Sequence, residues 1–333
     1  MPSQWGKRGW AAAALLHALA IALYLDLGQV FANPPVGGTD YATHWAEVWS
    51  VSHFLDQGHL WGYDPYLLAG QPEGTLFDID NKLVEVTSWA LSKSGLSLPL
   101  SYNLTLLAIL AAGPLALYPA GRLFGLGRAP ALLSQMAGLA LWWLDPTLRW
   151  VWQGSTLCFS VAVYAAPLVV AAGTRLVAGR GAARPRLAIW LLWFGLGGLL
   201  LWLHAASALL LALPLLALAW IAIWPRPGRS LRPAGLAALI LWPPIVLALS
   251  APWLATAIRF AGTKTTSAQF LQGGLPALAA DLLGVGRVDG AENVRLLGLR
   301  WTVLAVGGLG LWLLSRRDRR WPPVAVGAWT GLA

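Results

Sequence analysis

Long apolar runs separated by short charged segments are the feature that most constrains this chain. The runs cover residues 10–31, 102–120, 129–148, 159–178, 187–224, 234–257 and 301–315. A helix needs about 20 apolar residues to cross the hydrocarbon core of a bilayer, and most of the runs reach that length. A chain that is 57% hydrophobic and 11% charged cannot bury these runs in a water-soluble globule. The sequence therefore predicts an all-α polytopic membrane protein.

The charged residues divide unevenly between the two sides of such a bundle. When the gaps between the runs are assigned alternately to two sides, fifteen of the 23 basic residues lie on the N-terminal side with one of the fourteen acids, Asp318. That side has a net charge of +14, and the other side, with eight basic residues and thirteen acids, has −5. Short loops rich in Lys and Arg stay in the cytoplasm, so we expect a cytoplasmic N-terminus. We expect no nucleic-acid partner, because the basic residues do not gather on one solvated domain.

The number of spans follows from the same charge pattern. The run 187–224 is nearly twice as long as one span requires and has Arg-rich segments at both ends. Both Arg-rich ends can lie on the cytoplasmic side only if the run turns back on the outer side, near His204. The turn divides the run into spans near 187–203 and 205–224. The run 10–31 is longer than the ~7–15 apolar residues of a signal peptide, so we interpret it as a retained span. We expect about eight spans, and the apolar but short 321–333 predicts a truncated ninth at the C-terminus.

Two segments on the outer side, 32–101 and 258–300, are long enough to hold structure of their own. In the first, an amphipathic pattern begins at Asp40 and ends at Gly58. It predicts a helix in the plane of the lipid headgroups, with Tyr41, Trp45 and Val48 on its apolar side.

Three residues of that helix could act together. Asp40, His44 and Glu47 follow the spacing i, i+4, i+7 and would share one face. Two carboxylates and an imidazole on one face could position an acceptor or bind a metal ion. The alternative is a helix-capping role for Asp40 and solvated positions for the other two.

A second acidic group lies further along the same outer segment. Asp78 and Asp80 alternate along an extended stretch and are followed by Lys82. Such a pair could hold a divalent cation such as Mg or Mn, or position a polar acceptor, and it could equally form a turn before a helix. The aromatic residues of 61–66 could stack on a sugar or anchor the loop at the membrane surface.

The histidines within the apolar runs give weaker indications. His204, at the predicted outer turn, requires a partner or a wet cavity, and could also be a turn residue in contact with water. His17 lies in the middle of the first run, where it could hydrogen-bond a neighbouring helix. The segment 284–286 does not open a helix after a strand, so it does not predict a dinucleotide site. No nucleotide-binding, zinc-protease or serine-hydrolase motif occurs in the sequence.

The first outer segment resembles that of the GT-C superfamily, the lipid-dependent membrane glycosyltransferases. The resemblance is carried by residues 37–72: Gly38-Thr39-Asp40-Tyr41, Gly58-His59-Leu60-Trp61, Asp64-Pro65-Tyr66 and Gly70-Gln71-Pro72. The pattern is similar to the first outer loop of uncharacterised bacterial members. Elsewhere the likeness is one of topology, with a histidine at an outer hairpin. The C-terminal soluble domain common in such enzymes is absent from this sequence.

The resemblance implies an inverting transfer of a sugar from a polyprenyl-phosphate donor to a glycan, lipid or protein acceptor on the extracytoplasmic face, in a bacterial inner or plasma membrane. It implies that Asp40 is the general base and that Asp78 and Asp80, with His44 and Glu47, position the acceptor or a divalent cation. The side chains expected near the donor phosphate are His204, Lys82, Arg149, Arg259 and Lys264.

Two other functions stay open. One is a transporter or flippase of a lipid-linked substrate, although the ionisable residues here cluster at the outer rim and not at mid-membrane, where transporters have them. The other is a non-catalytic membrane relative.

The charge pattern makes a direct prediction about topology. Single cysteines placed at Thr75 and at Gly181, in a Cys158→Ala background, should react with a membrane-impermeant thiol reagent from opposite sides of sealed vesicles. The reason is that the acidic and the Arg-rich segments lie on different sides of the bilayer. Labelling of both cysteines from the same side would contradict the assignment of every outer residue named above.

Overall fold

The computed structural model describes residues 2–38, 40–65, 71–73, 81–178, 187–223 and 233–259. These residues are mostly helical. The N-terminal half contains helices α1 (Pro2–Tyr24), α2 (Leu27–Val30), α3 (Tyr41–Asp56), α4 (Lys82–Ser92), α5 (Leu98–Ala112), α6 (Leu117–Phe124), α7 (Arg128–Leu144) and α8 (Pro146–Val151). The remainder contains α9 (Leu157–Ala178), α10 (Leu187–Trp190), α11 (Gly197–Leu203), α12 (Ser207–Ile223) and α13 (Pro233–Arg259). Strands β1 (Gly62–Asp64) and β2 (Gln71–Glu73) form a short antiparallel hairpin.

Three helical segments in this part of the chain are long and apolar enough to cross a membrane: Leu98–Phe124, Leu157–Val177 and Pro233–Ala255. The segments Arg8–Tyr24, Leu187–Leu203 and Ser207–Trp220 are apolar but shorter. A mostly helical chain with membrane-spanning helices was expected, and the structure agrees to that extent. The count of eight spans and a truncated ninth stays a prediction. The run 301–315 and most of the second outer segment lie outside the described residues.

Several helices end where a local signal interrupts the apolar run. The run 10–31 does not form one helix, because α1 ends at Tyr24 and Asp26 begins the short α2 by accepting a hydrogen bond from the Gln29 amide at 3.3 Å. The run 129–148 divides in the same way. There the Asp145 carboxylate accepts from the Leu148 amide at 2.9 Å and caps α8. A side-chain oxygen that satisfies a free amide favours a new helix start over continuation.

Helix α9 lies at the centre of the bundle. Small side chains along it, among them Ala162, Ala166 and Ala172, are buried, and Gly173 lies against the ring of Trp193. Small residues let helix backbones approach closely, which is the main source of packing between apolar helices in lipid. Helices α5, α6, α11, α12 and α13 all pack on α9.

The run 187–224 is divided in two at His204. The residue has extended backbone angles (φ −161°, ψ 127°), and helix α12 begins three residues later, at Ser207. The break coincides with the turn that the charge pattern predicts. The Trp193 indole donates to the Ala238 carbonyl and that of Trp202 donates to Leu249, so the segment 187–203 runs in the same direction as α13.

His17 joins three helices in the interior. Its Nδ1 accepts from the Trp143 indole at 3.0 Å, and its Nε2 lies 3.3 Å from the Leu110 carbonyl. Because Nδ1 accepts, the ring hydrogen is on Nε2, which donates to Leu110. His17 therefore connects α1, α5 and α7 as a packing residue.

The bundle has two chemically different ends. At one end, the Arg175 side chain donates to the Leu123 carbonyl at 2.5 Å and lies near Arg122, and α7 begins there at Arg128; we call this the arginine end. At the other lie α3, α4, α8 and the turn at His204, which we call the loop end. The 22 residues of α9 separate the two ends by about 30 Å.

The close approach at Gly173 gives a prediction about stability. A Cβ atom there would lie 2.2 Å from Cζ3 of the buried Trp193 ring. Gly173→Ala should therefore destabilise the bundle by about 1–3 kcal/mol through overpacking, measured by thermal unfolding of the purified chain in detergent. Gly195→Ala is the matched control, because nothing lies within 4 Å of its Cβ position. Equal unfolding midpoints for the two variants would contradict the packing described.

Candidate functional site at the loop end

The hairpin and helix α3 form the first wall of the loop end. The buried Asp64 carboxylate in β1 accepts a hydrogen bond from the Ser50 hydroxyl at 2.6 Å. The hairpin also packs closely on α3, since Gly62 lies against the Phe54 ring with no room for a side chain. Asp64 is thus a residue that holds the loop on the helix, although it belongs to the motif on which the family resemblance rests.

Tyr41 connects α3 to the transmembrane helices. Its hydroxyl donates to the Trp152 carbonyl at 2.5 Å, and its own carbonyl accepts from the Tyr102 hydroxyl at 3.2 Å. Burial, with a smaller effect of nearby Cys158, raises the pKa of the Tyr41 hydroxyl above its usual range. Tyr41 therefore stays protonated and fixes the first turn of α3 on the bundle.

His44 and Glu47 form a pair on the following turn. His44 Nδ1 lies 3.1 Å from Glu47 Oε2, and the two side chains are 22% and 4% exposed. A carboxylate can only accept, so the hydrogen on Nδ1 belongs to this contact. Among the described residues, none hydrogen-bonds to His44 Nε2. The second ring nitrogen is therefore free to bind a ligand.

Asn81 holds the pair from the other side. Its side-chain amide nitrogen lies 3.2 Å from His44 Nδ1. A 180° rotation of the amide group exchanges its nitrogen and oxygen, and the oxygen then accepts from the ring hydrogen. Its backbone amide donates to the Leu203 carbonyl at 3.1 Å. The residue has φ +62°, in the left-handed region that Asn tolerates better than most side chains. Asn81 thus joins α3, the start of α4 and the end of α11.

A buried ion pair follows directly in α4. Lys82 Nζ donates to Glu85 Oε1 at 2.7 Å, with the side chains 1% and 0% exposed. The ammonium group also lies 5.7 Å from the centre of the Trp253 ring in α13. Since a buried charge is costly unless it is paired, this arrangement fixes α4 against α13.

A partly open cavity lies between these elements. Polar residues of α3, α4 and α5 and the adjoining Asn81 line it, and the other lining residues are apolar. The lining residues are Tyr41, His44, Val48, Asn81, Val84, Glu85, Tyr102, Leu106, Leu157 and Cys158. The cavity is small, with room for about one water molecule beside the polar groups of His44, Asn81 and Glu85.

Eight of the predicted site residues fall into three groups. His44 and Glu47 are brought together, whereas Asp40 is exposed at the N-terminus of α3 and its side chain does not cap the helix. Arg149 lies over the Tyr24 ring at 5.6 Å and Arg259 over the Trp61 ring at 5.1 Å. The third group, Asp78, Asp80 and Lys264, lies outside the described residues.

His204 lies at the loop end but faces a different neighbour. Its Nδ1 accepts from the Ala206 amide at 3.2 Å, and its ring packs 5.1 Å from that of Phe159. The preceding residue, Leu203, is the one that bonds to Asn81. The turn therefore adjoins the His44 cluster through the backbone.

The structure gives no metal site in the part of the chain that it describes. No three His, Cys, Asp or Glu side chains are grouped there so as to hold an ion. His44 and Glu47 supply only two of the donors that a metal ion needs, and Asp40 is joined to His44 through its backbone carbonyl and not through its carboxylate. The chemistry of the described site is therefore argued from its protein groups.

Sequence reasoning missed Asn81, Glu85 and the burial of Glu47. The sequence pattern indicates an amphipathic helix, but it does not show that the helix's polar face is covered by α4. One signal was present for Asn81: an Asn directly before a helix, at the end of an extended stretch, is a residue type that adopts the left-handed conformation.

The buried ion pair generates a second stability prediction. Lys82→Met leaves the Glu85 carboxylate buried without this cation and should destabilise the chain by about 3–5 kcal/mol, seen as a lower thermal midpoint. The double variant Lys82→Met, Glu85→Leu should recover most of the loss. Lys93→Met is the control, because the Lys93–Asp56 pair is about half exposed and should matter little. Equal effects of Lys82→Met and Lys93→Met would contradict the buried pair.

Comparison with protein-family models, with curated proteins and with solved structures finds no match for this chain.

Proposed function

We propose that the chain is a membrane glycosyltransferase that moves a sugar from a polyprenyl-phosphate donor to an acceptor on the extracytoplasmic face. The observation that carries the proposal is the grouping of His44, Glu47 and Asn81 beside a cavity at the loop end. Of the described basic residues, Arg122, Arg128 and Arg175 lie at the opposite end. The proposal also includes the GT-C-like arrangement of eight spans and a cytoplasmic N-terminus.

The position of the cluster suits a lipid-linked donor. The loop end lies where the transmembrane helices finish, so a lipid phosphate at the headgroup level would reach it while its polyprenyl chain stays in the bilayer. Arg149 and Arg259 lie at this end, over the rings of Tyr24 and Trp61. In the proposal they attract the phosphate, and Lys82 stabilises the fold in its pair with Glu85.

Asp40 has the role of general base in this scheme. A base acts by accepting the hydrogen bond of the hydroxyl that attacks the anomeric carbon, so it must be open to the acceptor. The exposed carboxylate at the start of α3 meets that requirement. Asp78 and Asp80, with a divalent cation, remain the proposed residues for positioning the acceptor.

A transporter is the less favoured candidate. Intramembrane ionisable residues mark transport paths when they face a wet cavity. His17 is buried in the middle of the bundle, and both of its ring nitrogens are engaged with neighbouring helices. That arrangement favours a packing role for the residue over a place on a transport path.

Asp40→Asn tests the proposal. Asn keeps the shape and a hydrogen-bonding oxygen but cannot take a proton, so turnover should fall by about 10²–10⁴-fold. The measurement is sugar release or transfer by the full chain in liposomes, with polyprenyl-phosphate-linked mannose, glucose and aminoarabinose as donors and a bacterial membrane extract as the source of acceptor.

Asp56→Asn is the matched control, since Asp56 lies on the same helix and is exposed. It is bound by Lys93 and Trp89, whose hydrogen bonds hold the pKa of its carboxyl below the usual range. Turnover in that variant should match the wild type. Full turnover in Asp40→Asn would remove Asp40 as the base, and absence of turnover by the wild type with all three donors would contradict the transferase function.

A further inference from the structure

His44 is an ionisable side chain of α3 whose ring is held by two neighbouring residues. Glu47 fixes its Nδ1 from one direction and Asn81 from another, at 3.1 Å and 3.2 Å. A carboxylate on Nδ1 orients an imidazole and stabilises the imidazolium that forms when Nε2 takes a proton. None of the described residues occupies Nε2 by hydrogen bonding.

Asp40 lies one helical turn before His44. Its backbone is helical (φ −78°, ψ −8°), and its carbonyl accepts from the His44 amide at 3.0 Å, so the helical spacing extends to Asp40. Residues four apart on a helix have Cβ atoms about 5–6 Å apart on the same face. The Asp40 carboxyl and the His44 ring are therefore within reach of each other, directly or through one water.

We propose that Asp40 and His44 form a proton relay in the transfer reaction, in which His44 receives the proton from Asp40 and passes it to the solvent. This inference rests on the proposed glycosyltransferase function and adds a second catalytic residue to its site. Glu47 and Asn81 are positioning residues, because they act through the orientation of the His44 ring.

The steps balance without a further reactant. The acceptor oxygen forms a bond to the anomeric carbon, and the bond from that carbon to the phosphate oxygen breaks with its electron pair going to the phosphate. The hydroxyl proton goes to the Asp40 carboxylate and then to His44 Nε2. The imidazolium later releases the proton to the outer solvent, which restores the starting state.

The second transfer is possible because Nε2 of an imidazole with its hydrogen on Nδ1 has a lone pair that accepts a proton. The nearly buried Glu47 carboxylate compensates the new positive charge on the ring. With the proton passed on, the Asp40 carboxylate can accept a proton from the next acceptor hydroxyl.

The first test needs no activity. Diethyl pyrocarbonate acylates free, unprotonated imidazole nitrogens, and its products can be assigned to single histidines by peptide mass spectrometry. In the full chain in detergent, His44 should react, as should the exposed His53 on the same helix. His17 should not react, since both nitrogens are engaged. An unreactive His44 beside a reactive His53 would overturn the inference, whatever the chain's function is.

The second test uses chemical rescue. His44→Ala should lower turnover by about 10²–10⁴-fold, and added imidazole should restore part of it, because a free base can occupy the vacated, partly exposed position. His53→Gln should behave as the wild type. Full turnover of His44→Ala overturns the relay while leaving the transferase function intact, and loss without rescue by imidazole also overturns it, since it indicates a structural role.

Glu47→Gln tests the positioning role. Gln retains an acceptor for the Nδ1 hydrogen but removes the compensating charge. The variant should therefore show a lower kcat with an unchanged KM for the donor, and added imidazole should not restore it. An unchanged kcat would show that Glu47 does not act through His44.

Discussion

The burial of small residues along α9 is the packing constraint on which the rest of the structure depends. Ala162, Ala166, Ala172 and Gly173 let five helices pack against one axis. In lipid no hydrophobic force drives apolar helices together, so close contact between backbones must supply the attraction. With α9 fixed in this way, its N-terminal end supports the loop end and its C-terminal end anchors Arg175.

Indole hydrogen bonds complete this packing. Trp152 donates to the Trp142 carbonyl, Trp193 to Ala238 and Trp242 to Trp193, all in buried positions. A large apolar ring that also satisfies a backbone carbonyl fills space without leaving a polar group unpaired. Trp therefore contributes to the interior of the bundle as well as to its exposed surface, where Trp150 lies.

The sequence predicted the features that depend on local pattern. The helix expected from Asp40 to Gly58 is observed as Tyr41–Asp56, and the helix break expected near His204 is observed at that residue. Features that depend on contact between distant segments were not predictable. Glu47 is a solvated position in a helical pattern and a buried one once α4 covers it, and the pairing of Lys82 with Glu85 against Trp253 requires α13 to be in place. The left-handed backbone of Asn81 is likewise set by its bond to Leu203.

The two hydrogen bonds of His17 determine whether a proton can pass through the bundle at this residue. Its neutral ring cannot gain a proton without breaking the bond from Trp143, and it cannot lose one without breaking the bond to Leu110. The residue is therefore unable to carry charge through the bundle. In the proposed reaction, a proton taken up at the loop end returns to the solvent on the side from which the acceptor comes. The membrane potential does no work on a charge that stays on one side, so the proposed reaction is electroneutral with respect to the bilayer.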